Sequence, residues 1–189
     1  MVALTYDHVE HIHRFAAWAA ARAASRGGTF GTPVKSVMRW TESIGLRGLV
    51  EDPDRLPEPD AFDHQHRWWR DRLVSEAGSG LSHGKAAKLI AVYLKTAVVC
   101  PSLLHGLAPG LLRTKVGAIH PPVDSILLDG LAASARKVDP VSASILSWKW
   151  SGLSSVEYER LVGILKTLTP SSDGPLEFWR LEQHWSGSR

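Results

Sequence analysis

The sequence has a single cysteine, Cys100, among its 189 residues. One cysteine excludes an internal disulfide and a zinc cluster built from cysteines, and it is typical of a reducing compartment. The first ten residues lack the basic-then-apolar pattern of a signal peptide. No run in the sequence approaches the roughly 18 uncharged apolar residues that a membrane span needs. We therefore expect a cytoplasmic protein without membrane contact.

Phenylalanine and tyrosine are also scarce, at four and three residues, whereas tryptophan occurs eight times. Core packing is the ordinary role of a tryptophan, but the same ring can stack on a nucleobase or fill the gap left by an extruded one. The hydrophobic content of 44% excludes a disordered or collagen-like chain. The formal net charge is +3. A mildly basic chain can bind a phosphate backbone where its positive charges cluster, although the composition does not require it.

Apolar residues recur at helical spacing, and no two alternating runs are joined by a hairpin turn. The sequence therefore predicts an all-α fold, a bundle of about seven helices that contains a helix-hairpin-helix motif. We expect one domain over residues 1–189, either as one body or as two lobes with a cleft between them. In the first helix Val9, Ile12, Phe15, Ala16 and Ala19 recur at helical spacing, and we expect this face, Phe15 included, to be buried. The predicted helices are His8–Arg26, Thr32–Ile44, Asp60–Glu76, Lys85–Val99 (stopped at Pro101), a segment from Asp124, Ser154–Leu168 and Pro175–Trp185, with Ser102–Ile119 irregular.

A tight glycine-rich turn joins the third and fourth predicted helices. Such a turn lets backbone N–H groups approach a phosphate, and the positive end of the following helix adds to the attraction. The turn is therefore a candidate backbone clamp for a duplex, although short glycine turns also join helices that bind nothing. Its candidate contact residues are Gly78, Gly80, Ser82, His83 and Gly84.

Two charged residues lie at the beginnings of predicted helices. Lys85 is in the first turn of an apolar helix, where the helix dipole and low dielectric favour the neutral amine that a nucleophile requires. Asp124 follows Pro121-Pro122 at an N-cap or first-turn position, where backbone donors keep it ionised. A fixed carboxylate there could stabilise positive charge on a sugar ring. From the residues alone, an ordinary helix cap and a solvated lysine account for both positions.

The segment Gly84–Ile90, followed by Pro121-Pro122-Val123-Asp124-Ser125, resembles the helix-hairpin-helix DNA glycosylases, and within them the 8-oxoguanine glycosylase branch. The resemblance covers about residues 78–131. It implies that Lys85 is the nucleophile at the deoxyribose carbon and that Asp124 assists. Lys88 and Lys95 lie on the same predicted helix and are alternative amines; without a lysine nucleophile, Asp124 could support hydrolysis by water.

A glycosylase must extrude its target base, since the stack shields the sugar carbon. The expected partner is double-stranded DNA with a damaged or modified base, bound by a monomer without metal or organic cofactor. Two classes of target base remain as alternatives. An oxidised purine would indicate a role in DNA repair, and a bulky modified base of the kind found in some phage genomes would indicate a role in defence. Further candidate DNA contacts are Arg67, Arg70, Lys88, Arg113 and Lys115. The candidate base-pocket residues are Trp68, Trp69, His120, Trp148 and Trp150.

Two other classes of function remain as alternatives. One is a non-enzymatic helical module that binds DNA or a protein through the same hairpin. The other is a metal-dependent hydrolase that uses histidines, but His11 and His13, like His64 and His66, are two residues apart and point to different sides of a helix. No His-Glu-x-x-His pattern occurs, so no metal site is predicted.

Overall fold

The computed structural model describes residues 6–25, 33–104, 110–136, 139–169 and 176–186. Every regular element in these ranges is helical, and they contain no strand, which confirms the all-α prediction. The α-helices are α1 (His8–Ser25), α2 (Val34–Ser43), α3 (Gly48–Glu51), α4 (Phe62–Ala77), α5 (His83–Leu94), α6 (Cys100–Leu104), α7 (Leu111–Gly117), α8 (Ser125–Ala135), α9 (Pro140–Leu146) and α10 (Ser155–Leu168).

The buried side chains form two apolar clusters that meet along α5. The first cluster joins α1, α2 and α4 with one side of α5. The second joins α8, α9 and α10 with Phe178 and Leu181 of a C-terminal 3₁₀ segment. Ala86 of α5 belongs to the first cluster and Ala87 to the second. α5 is therefore the element that holds the two halves of the core together.

The first helix packs through its alanines. Ala16, Ala17, Ala20, Ala21 and Ala24 are buried, so α1 approaches its neighbours closely. Phe15 is 54% exposed, so the expectation that it is buried was wrong. Helix α1 has two apolar faces, one lined by alanines and one that includes Phe15. The alanine face packs against α5 because small side chains let the two helices approach closely.

The helix that begins at His83 continues beyond its expected end. A π-turn at Lys95–Val99 widens the helix just before Pro101, which accommodates a residue that lacks a backbone N–H, and α6 continues to Leu104. By length and composition the run His83–Leu104, with a mean hydropathy of 1.6, is apolar enough to cross a membrane. The run contains Lys85, Lys88 and Lys95, so it is not an uncharged apolar stretch. Because 56% of the apolar window is buried inside the protein, the run is compatible with the core helix of a soluble protein.

The C-terminal half contains helices that the pattern did not predict. Within 102–119, expected to be irregular, α7 forms at Leu111–Gly117, whereas residues 105–109 lie outside the described ranges. α9 was also missed; Asp139 caps it through bonds from the N–H groups of Val141 and Ser142. The final predicted α-helix is instead a 3₁₀ segment at Phe178–His184.

Candidate active site

A pocket of about 270 Å³ lies where the two apolar clusters meet. Its walls come from α1, α5, the segment that begins α8, and the C-terminal 3₁₀ segment with the residue after it. The lining residues are Ala23, Lys88, Val92, Lys95, Thr96, Pro122, Asp124, Leu127, Glu182 and Trp185. The cavity approaches the lower end of the size range of small-molecule sites, about 300 Å³.

An amine and a carboxylate meet in this pocket. Nζ of Lys88 lies 3.2 Å from Oδ2 of Asp124 and donates a hydrogen bond to it. Lys88 is only 4% exposed, and its ammonium also lies 4.4 Å from the ring centroid of Trp150. The carboxylate and the aromatic face together hold a cation that would otherwise be costly to bury.

Asp124 has a separate role for each of its two oxygens. Its Oδ1 accepts the backbone N–H of Leu127 at 2.9 Å, so Asp124 is the N-cap of α8, as the sequence predicted. The other oxygen is directed to Lys88. The cap fixes the orientation of the carboxyl group and leaves one oxygen facing the pocket.

Lys85, the nucleophile implied by the resemblance, occupies a different place. It lies half-buried in the first turn of α5, where its backbone N–H donates to the Ser82 hydroxyl. Lys85 is not among the residues that line the pocket, whereas Lys88 is. The amine that the fold brings to Asp124 is therefore that of Lys88, one of the alternative amines on the same helix.

The segment before Asp124 is anchored by a buried histidine. His120 is 3% exposed; its Nε2 lies 3.0 Å from Oδ1 of Asp63 and its Nδ1 lies 3.3 Å from the hydroxyl of Tyr158. Burial lowers the pKa of His120, against the opposing effect of the Asp63 carboxylate. The hydrogen bond to His120 in turn lowers the pKa of Asp63. His120 thus ties the start of the Pro121–Asp124 segment to α4 and α10.

The expected phosphate clamp is occupied by internal hydrogen bonds. At the start of α5, the N–H of Gly84 donates to the carbonyl of Leu153, and the N–H of Ala86 donates to that of Ser82. The Ser82 hydroxyl accepts from Lys85 N–H and donates to the carbonyl of Ser151. This helix end therefore docks on residues 151–153, and the N–H groups of positions 84–86 do not point to a free phosphate. Gly78, Gly80 and His83 complete the turn, where Gly78 has a φ of 68° and His83 lies 3.1 Å from Asp71.

The candidate basic contacts divide into exposed and internal groups. Arg67 is on the surface beside Glu159. Arg70 is fully buried, pairs with Glu159 and lies 4.4 Å from the centroid of the Tyr158 ring. The prediction that Arg70 contacts a DNA phosphate was therefore wrong, because its guanidinium is inside the protein. Lys115 is also buried, against the carbonyl of Asp54 and the carboxylate of Glu58.

Arg113, the remaining basic candidate, is exposed and pairs with the buried Glu177. No described residue of the stretch 102–119 is among those lining the pocket, although Leu104 lines a second, apolar pocket.

The candidate base-pocket residues are scattered. Trp150 contacts the ammonium of Lys88 through its ring. Trp69 is buried in the first cluster, Trp148 packs against the second, and Trp68 is exposed on the surface of α4. His120 is buried among Phe62, His66, Tyr158 and Phe178 rather than in the pocket.

The sequence interpretation missed Glu182 and Trp185, and it did not assign Lys95 to a pocket. The sequence does contain a pattern that indicates one wall of the pocket. This wall consists of residues spaced as one face of a helix: Lys88, Val92, Lys95 and Thr96. Nothing in the sequence connects that face with Glu182 and Trp185, which approach it only through the tertiary fold.

Among the described residues, no three His, Cys, Asp or Glu side chains are placed to hold a metal ion. His11 instead bonds to Tyr6, and His13 bonds to Tyr93 and pairs with Glu42. The polar and aromatic groups that line the pocket are two amines, two carboxylates, a hydroxyl and an indole ring. Comparison with family models, with curated proteins and with solved structures found no match for this chain.

Proposed function

We propose that this protein is a DNA glycosylase that extrudes an altered base and cleaves its N-glycosidic bond. The observation that carries the proposal is the contact between Lys88 and Asp124 at a pocket between two halves of an all-helical core. Two further features support it: the carboxylate that the resemblance implies to assist, Asp124, is held in place as the N-cap of α8, and the pocket offers a flat aromatic side chain.

In this proposal Asp124 stabilises the positive charge that develops on the deoxyribose ring as the base departs. Its cap bond from Leu127 keeps the carboxylate oriented, which reduces the reorganisation needed in the transition state. Lys88, rather than Lys85, is the proposed nucleophile, because its amine touches Asp124. Attack requires the ammonium to lose a proton, and the carboxylate oxygen at 3.2 Å is an available acceptor.

A lysine nucleophile has a specific chemical consequence. The neutral amine forms a bond to the sugar carbon as the bond to the base breaks. The base leaves with the electron pair and takes up the proton that Asp124 accepted from Lys88, which restores the carboxylate. The sugar ring then opens as a proton passes from the attached nitrogen to the ring oxygen, which gives a protein–DNA Schiff base that borohydride reduces to a stable amine. Hydrolysis by water with Asp124 alone leaves no such adduct.

The test is incubation of the protein with duplexes that each carry one altered base, followed by detection of abasic sites and by borohydride trapping. Asp124→Asn is expected to abolish base release, and Lys88→Met to abolish both release and adduct. Lys85→Met is the matched control on the same helix and is expected to keep both. An adduct that persists in Lys88→Met but disappears in Lys85→Met restores Lys85 as the nucleophile. Full base release by Asp124→Asn contradicts the glycosylase proposal.

The second candidate is a non-enzymatic DNA-binding module. It is favoured by the exposed basic and aromatic side chains of α4, where Arg67 and Arg72 pair only with exposed or half-buried acids and Trp68 faces solvent. Salt-dependent binding of duplex DNA without any base release, over a panel that includes oxidised purines and bulky modified bases, would select this alternative.

A further inference from the structure

We infer that His120 is a positioning residue for Asp124, because it fastens the segment before Asp124 to both halves of the core. The inference rests on the proposed function, since it concerns the placement of the carboxylate that assists base release. His120 is not among the described residues that line the pocket. It therefore acts through Asp124 and not on the DNA.

The chain passes from one half of the core to the other at His120. Before it, Ile119 is buried in the first apolar cluster, and after it, Val123 is buried in the second. The two residues in between are Pro121-Pro122, whose rings each fix one backbone dihedral angle. A displacement of His120 is therefore passed along a stiff segment to Asp124.

The imidazole of His120 bonds to one element from each half. Its Nε2 lies 3.0 Å from Oδ1 of Asp63 on α4, and its Nδ1 lies 3.3 Å from the hydroxyl of Tyr158 on α10. An ionised carboxylate only accepts hydrogen bonds, so Nε2 carries the proton and donates it to Asp63. The hydroxyl of Tyr158 then donates to Nδ1. The neutral imidazole thus has a partner at both nitrogens and links α4 to α10.

The partners of the imidazole are themselves held in place. Oδ1 of Asp63 faces His120, and its Oδ2 accepts a hydrogen bond from Nζ of Lys166 on α10. The ring centroids of Phe62 and Phe178 lie 5.3 Å and 5.4 Å from that of His120. Ring packing and two hydrogen bonds together select one orientation of the imidazole, which is what a positioning residue requires.

The consequence for the pocket is a fixed distance between two charges. Lys88 belongs to α5, which packs against both clusters, and its Nζ lies 3.2 Å from Oδ2 of Asp124. A second ion pair of the pocket, Lys95 with Glu182, joins α5 to the C-terminal 3₁₀ segment instead. A shift of a catalytic group by about 1 Å can slow a reaction by about a hundredfold. The bonds of His120 oppose such a shift of the Asp124 carboxylate.

The first experiment separates the two bonds of the imidazole. A glutamine amide extends as far as Nε2 of a histidine, whereas an asparagine amide ends near the position of Nδ1. His120→Gln is therefore expected to keep the bond to Asp63 and to release base at a rate close to that of the parent. His120→Asn keeps only the contact with Tyr158, so we expect single-turnover release at saturating protein to slow by about tenfold or more. Its Kd for the duplex with one altered base is expected to stay unchanged.

Asp63→Ala tests the same bond from a position that tolerates substitution better than the buried imidazole. The side chain of Asp63 is 36% exposed, so this variant is expected to remain folded and to slow base release as His120→Asn does. Lys166→Met is the matched control, since it removes the other partner of Asp63 and leaves the bond to His120 in place. Its rate of base release is expected to equal that of the parent.

A measurement without DNA tests the placement of Asp124 directly. The coupling free energy between Lys88 and Asp124 is obtained by urea unfolding of the parent, Lys88→Met, Asp124→Asn and the double variant. In proteins that also carry Asp63→Ala, this coupling is expected to fall by about half or more, because a hydrogen bond weakens steeply with distance and angle. Lys166→Met is expected to leave it unchanged. A role of His120 in stability alone would lower all four stabilities equally and keep the coupling.

Three results would overturn the inference while the glycosylase proposal stands. They are an unchanged coupling in the Asp63→Ala proteins, base release by His120→Asn at the rate of the parent, and equal slowing by Lys166→Met and Asp63→Ala. Absence of base release by the parent from every altered duplex overturns the proposed function instead. The coupling measurement then still decides whether His120 holds Asp124 against Lys88.

Discussion

Gly84 lies directly against the carbonyl oxygen of Trp150, at the point where α5 begins. A Cβ at position 84 would overlap that oxygen and would also crowd the side chain of Leu153. The same two segments are joined by the hydrogen bond from Gly84 N–H to the Leu153 carbonyl. Glycine is needed here for close approach of two backbones, and this approach places Trp150 over Lys88.

Gly84→Ala is therefore expected to lower the free energy of unfolding by about 3 kcal/mol, the upper part of the range for overpacking, because backbone atoms must move. The measurement is urea unfolding followed by circular dichroism. Gly163→Ala is the control, since nothing lies within 4 Å of a Cβ at that position and the residue is exposed in α10. Alanine there is expected to raise stability by about 0.5–1 kcal/mol. Equal effects at the two positions would contradict the proposed packing.

The ion pair of Lys88 and Asp124 predicts a non-additive effect on stability. Asp124→Asn keeps a capping oxygen but removes the charge beside a buried ammonium, so we expect a loss of about 3 kcal/mol. Lys88→Met combined with Asp124→Asn is expected to recover most of this loss, because methionine packs well against the ring of Trp150. The parent, Asp124→Asn, Lys88→Met and the double variant form a double-mutant cycle, and urea unfolding measures the stability of each. Additive losses in the double variant would show that the two side chains do not interact.

The buried histidines predict a loss of stability in mild acid. His66 is buried, and neither of its ring nitrogens has a hydrogen-bond partner among the described residues. Burial, together with the nearby charges of His120 and Arg70, lowers the pKa of His66 well below its usual value. The unfolded state therefore binds the proton first, and stability falls as pH decreases below about 6.5, by at most about 1.4 kcal/mol per pH unit for each such group.

His66→Phe is expected to keep or raise stability at pH 7 and to make the loss between pH 6.5 and 5 shallower, because it removes one of these groups. The remaining slope would come from His120 and His13, whose pKa values are also lowered by burial. Thermal unfolding over a pH series measures the slope, and His64→Gln, at an exposed position of the same helix, is the control. A His66→Phe profile parallel to that of the parent would contradict this account.

Arg67 and Arg70 are expected to differ although both were candidates for phosphate contact. If Arg67 contacts a phosphate, Arg67→Ala lowers the salt dependence of duplex binding by about one unit in the log–log slope, with less than about 1 kcal/mol lost in stability. Arg70→Ala removes a fully buried partner of Glu159, so we expect a loss of about 3 kcal/mol and an unchanged slope. Binding measured over a salt series and urea unfolding report the two effects separately. A change of slope in Arg70→Ala at unchanged stability would return Arg70 to the DNA-contacting surface.

Much of the helical architecture could be predicted from local pattern. The side chains of Phe62, His66, Trp69 and Leu73, which are spaced three or four residues apart on α4, are all buried, and α10 begins at a capping box formed by Ser154 and Glu157. Asp124 caps α8 as its position after two prolines indicated. These features depend on residues within a few positions of one another, which is the range over which helical periodicity and capping act.

Local pattern could not decide which way the helices face or where the helical run that begins at His83 ends. Phe15 is exposed because the alanine face of α1 packs more closely, and the run from His83 continues past its expected end to Leu104 because a π-turn at Lys95–Val99 precedes Pro101. Both outcomes depend on the neighbours that each helix meets in the folded protein, and periodicity within one segment carries no information about those neighbours.

Residue pattern alone predicts an all-helical fold, the carboxylate cap at position 124 and a set of lysines on one helix. The packing of the helices is what brings Lys88 to Asp124, places Arg70 and Lys115 in the interior and adds Glu182 and Trp185 to the pocket. The difference lies in distance along the chain, because a cap or a helical face is set by residues a few positions apart. The partner of Lys88 is instead 36 residues away and that of Lys95 is 87 residues away, so both pairs exist only because the two halves of the core close on α5.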